Sequence, residues 1–176
     1  MTSRSLIALL LAATPAVAQT QAQPKAQTAP QSSYAIPIGN AVTLDAAKKA
    51  AAAASAEAHK NNWFMAIAVV DPAGTLVYFE KADTTQLGSA DVAIDKARSA
   101  ALYKRPSKAF QDALEKGGVN MRVMALRGAV PVEGGVPLLV GGKLIGAIGV
   151  SGDLSEHDGQ CANAGATALT TTTVAR

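Results

Sequence analysis

Cysteine is almost missing: Cys161 stands alone in 176 residues. That excludes an internal disulfide and any four-cysteine zinc or iron–sulfur site within one chain. Aromatic residues make up only 4%, too few rings for a single-stranded nucleic-acid stacking platform. Charged residues are also sparse, at 16% against 49% hydrophobic, which is not the balance of a disordered tail. Cations outnumber anions by +3 net, yet no basic run exceeds a pair such as Lys48-Lys49. A nucleic-acid groove would gather them. There is no Gly-x-Ser-x-Gly elbow, no Gly-Lys-Ser/Thr phosphate loop and no Cys-x-x-Cys-His haem attachment motif.

Long apolar runs are missing too, with one short exception near the start. Arg4 precedes the run Leu6-Ile7-Ala8-Leu9-Leu10-Leu11-Ala12-Ala13, and Ala16-Val17-Ala18 follows. This is the pattern of a secretory signal peptide over 1–18, cleaved after Ala18. The run is well short of the ~20 residues a membrane span needs. Later apolar stretches are broken by Gly, Pro or charge. The expectation is an exported chain, periplasmic or secreted, without a membrane span. Residues 19–39 are rich in Gln, Ala, Pro, Thr and Ser and read as a flexible linker. One domain of 40–176 remains.

The domain alternates helical and strand patterns. Thr43 can cap a helix that alanines carry to about residue 58, with Asp45 in its first turn. Residues 65–70 form a short apolar run, and Asp71-Pro72-Ala73-Gly74 turns it into residues 76–79. A second helix is expected over 89–103, with Ala90, Ala93, Ile94, Ala97 and Ala101 on one stripe. Pro106 breaks it, Ser107 can cap a third to Lys116, and Gly117-Gly118 stops that one. Residues 136–140 and 143–150 flank Gly141-Gly142, a loop suited to a primed hairpin turn. A last helix starts at Ser155. The order helix, hairpin, two helices, hairpin, helix predicts an α+β domain with an antiparallel sheet.

Few side chains offer chemistry. The two histidines are His59 and His157. His157 and Cys161 are four apart, which on a helix shares a face, with Glu156 and Asp158 beside them. His59 ends the first helix, where an imidazole is also a simple C-terminal cation. Arg98, Lys104 and Arg105 lie around the second helix and can meet a carboxylate or stay solvated.

Several segments occur in a recognisable order. They are the Ala-rich opening helix, Ile67-Ala68-Val69-Val70-Asp71 with Gly74, and Asp95-Lys96-Ala97-Arg98-Ser99-Ala100-Ala101. Arg105-Pro106-Ser107 and Glu133-Gly134-Gly135-Val136-Pro137 follow. Last come Gly146-Ala147-Ile148-Gly149-Val150-Ser151-Gly152 and then Asp158, Cys161, Ala162 and Ala164-Gly165. Over 43–169 this resembles the GlcG/HbpS family, also found as the C-terminal domain of PduO-type proteins. The resemblance implies an α-β-α sandwich with a five-stranded antiparallel sheet flanked by helices, and a homo-oligomer. For some members it implies binding of haem or related tetrapyrroles. A histidine on the opening helix serves as axial ligand in some of them, which makes His59 the first metal-ligand candidate and His157 the second.

On that basis the cofactor-binding candidates are His59, His157, Arg98, Lys104, Gly134, Gly135, Pro137 and Gly149. The glycines would let a flat ligand, or a second backbone, come close. Pro137 within a strand marks an edge. Arg98 or Lys104 would pair with propionates. The expected function is an exported haem-binding protein in haem or iron handling. The alternative is an enzyme or accessory protein acting on a small carboxylate, with Arg98 holding the acid and His157 with Glu156 or Asp158 moving a proton.

Overall fold

The computed structural model describes residues 35–170. The signal peptide expected at 1–18 and most of the linker lie outside them, as do 171–176. The elements are α1 (Leu44–Lys60), β1 (Ala66–Val70), β2 (Leu76–Lys81), α2 (Ser89–Tyr103), α3 (Lys108–Glu115), a 3-10 helix (Gly118–Ala125), β3 (Gly135–Val140), β4 (Lys143–Ser151) and α4 (Ser155–Thr170). Thr43 caps α1 as expected, its Oγ1 accepting from Ala46 N at 3.2 Å. The β1–β2 turn is held by Asp71 Oδ1, which accepts from Ala73 N at 2.8 Å and Thr75 N at 2.9 Å. Gly141 and Gly142 have φ of 57° and 74°, the primed geometry that only glycine adopts without strain.

The sheet is antiparallel in the order β2-β1-β4-β3. It has four strands among the described residues, not five. The remaining pairing is a single parallel bridge between Ile38 and Leu144. Leu144 N donates to Pro37 O at 2.8 Å and Gly39 N to Leu144 O at 2.8 Å. The approach is brief because β1 pairs with β4 only from Ala147 to Ser151, leaving a short stretch of β4 beyond its end.

Three layers result, as in the expected α-β-α sandwich. On one face Ile67, Val69, Ile148 and Val150 pack with α1 and α4. On the other, Ala66, Ala68, Val70 and Ala147 pack with Ala93, Ala97, Ala100 and Ala101 of α2. The side chains on that second face are small by necessity. Ala68 pairs with Gly149, and Gly149 with Gly135, forming a row of minimal side chains across three strands. A Cβ at Gly149 would overlap the Ala93 carbonyl and lie 2.5 Å from Ala97 N. The α2 backbone therefore rests directly on the sheet.

One capping expectation needs correction. Ser107 does not cap α3 through its side chain; its Oγ donates to Val132 O at 2.6 Å and accepts from Gly135 N at 2.8 Å. A carbonyl and an amide within reach outcompete the helix end. The α3 helix ends at Glu115, before Gly117 and Gly118 as expected, and both glycines take positive φ where the 3-10 helix Gly118–Ala125 begins.

The close contact of α2 with β4 sets a test. Gly149→Ala should destabilise the fold by about 1–3 kcal/mol through overpacking against helix backbone. Urea denaturation should show a lower midpoint with an unchanged slope, and an unaltered midpoint would refute the packing account.

Candidate functional site

The predicted site residues do not converge on one place. His59 is exposed in the last turn of α1 and borders a cleft of about 210 Å³ between α1 and the β1–β2 hairpin. Ala58, Trp63, Met65 and Ile67 form the apolar wall, and Glu80 and Lys81 the polar rim. Tyr78 Oη donates to Glu80 Oε2 at 2.9 Å, fixing that carboxylate. The hydrogen bond to Glu80 raises the Tyr78 phenol above its ordinary range. The His59 imidazole has no hydrogen bond or ion pair with another side chain among the described residues.

Lys104 and Pro137 sit at the opposite edge of the sheet. They line an apolar groove of about 440 Å³ with Ile36, Pro106, Val136 and Leu139. Pro137 lies on the edge strand β3, as its missing N–H predicts. Lys104 Nζ already donates to Ile36 O at 2.9 Å. Arg98 belongs to neither place. Its Nε donates to Gly74 O at 3.2 Å and its Nη1 lies 3.7 Å from Asp95 Oδ1, so it buttresses the β1–β2 turn.

The glycines are close to backbone, and that backbone is the chain's own. A Cβ at Gly135 would overlap the Lys96 carbonyl, and one at Gly134 would lie 2.6 Å from Val150 O and 2.9 Å from Lys96 Nζ. At Gly134, Gly135 and Gly149 the space expected for a flat ligand is filled by α2 and its neighbours. Gly134 and Gly135 also edge a smaller cleft of about 150 Å³ with Lys108, Glu133 and Asn163.

His157 and Cys161 share α4 but not an environment. The His157 imidazole stacks on Trp63, with centroids 3.9 Å apart and planes 11° apart. Its Nδ1 lies 3.5 Å from Asp153 Oδ2 and has no hydrogen bond. Cys161 is fully buried in the α1–α4 core. Burial pushes its thiol up to about 12, so no thiolate is presented to a metal. Among the described residues no group of three or more His, Cys, Asp or Glu is placed to hold a metal ion.

Sequence reasoning missed the pair that organises this region. Lys96 Nζ and Asp158 Oδ2 meet at 2.7 Å with both side chains almost fully buried. Lys96 Nζ also donates to Val150 O at 3.2 Å, and Asp158 Oδ1 accepts from Asp153 N at 3.3 Å. Burial raises the Asp158 carboxyl above its usual range, while Lys96 pulls it back down. The signal was present: Lys96 interrupts the buried alanines of α2. Its partner, 62 residues away, was not visible. This pairing takes Asp158 from the proton-transfer role, and Arg98 is engaged at the β1–β2 turn, while Glu156 stays beside His157 in the first turn of α4.

The family model described as haem degrading protein HbpS-like matches residues 42–167. The chain belongs to the HbpS-like family. Protein GlcG of Escherichia coli strain K12 is 39% identical over 100 residues, covering 57% of this chain and 73% of GlcG. A crystal structure of HbpS superposes with a TM-score of 0.68 at 30% identity, over 74% of this chain and 92% of that one. A crystal structure of a PduOC:heme complex superposes with a TM-score of 0.66 at 25% identity, over 73% and 94%. This HbpS-like chain thus has its layers in common with a haem complex. Its own imidazoles stand at the end of α1 and the start of α4. Among its described residues no helix is long and apolar enough to cross a membrane.

Two outcomes test the electrostatics. Asp158→Asn should cost about 3–5 kcal/mol by stranding a buried ammonium, and Lys96→Met with Asp158→Leu should recover most of it. Chemical denaturation of both decides, and equal losses would refute the account. For Cys161, native protein at pH 8 should resist alkylation and react once unfolded in urea. The raised thiol stabilises the fold below an ordinary thiol value of 9.0, a contribution lost as pH climbs towards about 12.

Proposed function

We propose that this chain binds haem or a related tetrapyrrole at the His59 cleft, with His59 as the axial ligand. The observation that carries this is an imidazole, exposed and without a side-chain partner among the described residues, at the mouth of a mixed polar and apolar cleft that has Trp63 in its wall. The residues fit the group in kind. A neutral imidazole ligates iron. Trp63, Met65 and Ile67 offer an apolar wall, and Lys81 a cation for a propionate. The fit in size is partial: about 210 Å³ is below the ~300–1,000 Å³ of typical ligand pockets, so one chain encloses one edge of a macrocycle. When bound, the group would supply a redox-active iron. The chain's part is to hold that iron through His59 and keep water from the ring's edge.

The family match and the haem complex of a structural relative support the reading. Export through the 1–18 leader would place the protein in the periplasm or outside the cell. Assembly with further copies belongs to the same proposal. The 3-10 helix buries only Val123 and leaves Val119, Met121 and Met124 exposed, an apolar face that a second copy would cover.

Titration with haemin tests the core of this. A saturable Soret band is expected at micromolar haemin. His59→Ala should shift that band and weaken binding by at least about tenfold, 1.4 kcal/mol. An identical titration curve for wild type and variant, or no saturation at all, would overturn it.

A further inference from the structure

We propose that His157 braces Trp63, and that Trp63 so held is the stacking surface that selects a planar ring for the His59 cleft. The second half rests on the tetrapyrrole reading; the first does not.

Trp63 is the chain's single tryptophan and forms part of the cleft wall. Its backbone is fixed, with Trp63 N donating to Ala58 O at 3.0 Å. The following residues are pressed against Gly152, where a Cβ would overlap the Phe64 carbonyl and lie 2.8 Å from Met65 Sδ. The indole ring is held separately. His157 lies flat on it at 3.9 Å, and His157 is outside the cleft lining while Trp63 is within it.

The imidazole is itself held. Asp153, one turn before it, sits 3.5 Å from Nδ1. That nitrogen is buried and has no hydrogen bond, so Nδ1 is closed to a ligand. One turn further along α4, Gln160 Nε2 donates to Glu57 Oε1 of α1 at 2.6 Å. The α4 helix is therefore clamped to the helix that carries His59. An indole pinned by such a stack keeps one rotamer, so a planar ligand meeting the part of it that lines the cleft loses less entropy on binding.

Three full-length proteins separate the possibilities: wild type, His157→Ala and His157→Phe, with His59→Ala as the ligation control. Tryptophan emission reads Trp63 alone, because it is the only tryptophan. Without haemin, His157→Ala should brighten and red-shift that emission, and His157→Phe should keep it blue-shifted. With haemin, His157→Ala should weaken binding by roughly three- to tenfold, the range of one lost aromatic stack, at an unchanged Soret maximum. His157→Phe should restore the affinity although phenylalanine cannot ligate iron. A His157→Ala Soret shift like that of His59→Ala would overturn the proposal by making His157 a ligand. Unchanged emission in His157→Ala would overturn the brace. If wild type binds no haemin, the tetrapyrrole reading and the selection of a planar ring both fail, and the emission still decides the brace.

Discussion

An ammonium and a carboxylate taken out of water lose several kcal/mol of hydration each, and only close, well-oriented partners repay it. Lys96 and Asp158 meet that condition at 2.7 Å, with Val150 O and Asp153 N taking up further hydrogen-bonding capacity. Lys96 stands on α2, on one face of the sheet, and Asp158 on α4, on the other. The pair joins the two helical layers across the start of β3, where Gly134 leaves room for both groups. Moving either helix would strand a charge, so the first turn of α4 has little freedom. That turn carries His157, with Asp153 just before it.

The same constraint explains why the core is built from so little bulk. Alanine and glycine each bury little apolar area, so a core rich in them gains cohesion only by bringing backbones close. The row Ala68–Gly149–Gly135 receives α2, and Gly165 receives Ala50 of α1, where a Cβ would lie 2.7 Å from the Ala50 carbonyl. Glycine in a strand thus has a plain mechanical use here. The row that resembles a slot for a flat pigment is the seat of a helix.

Local chemistry made most of the architecture legible. Thr43, Asp71 and Gly141-Gly142 marked boundaries that the structure keeps, because each acts within a few residues of itself. What failed involved distance. Arg98 has the right charge for a propionate, but its guanidinium is engaged by Gly74 O and Asp95. Lys104 is spoken for by Ile36, which is 68 residues away in sequence. The histidines could be named from the sequence, but their surroundings could not. The Trp63–His157 stack joins residues 94 positions apart, and no spacing rule reports such a pair.

The two imidazoles take different parts because their neighbours differ. Around His59 the described side chains leave the ring uncommitted, next to an apolar wall and a lysine. Around His157 an indole covers one face and a carboxylate faces Nδ1. A ligand must spend its lone pair on a guest, whereas a wedge must already be engaged before the guest arrives. The buried ion pair anchors α4, α4 presents His157, and His157 steadies Trp63. The rigid interior is in this way extended, one contact at a time, to the wall of the cleft that His59 guards.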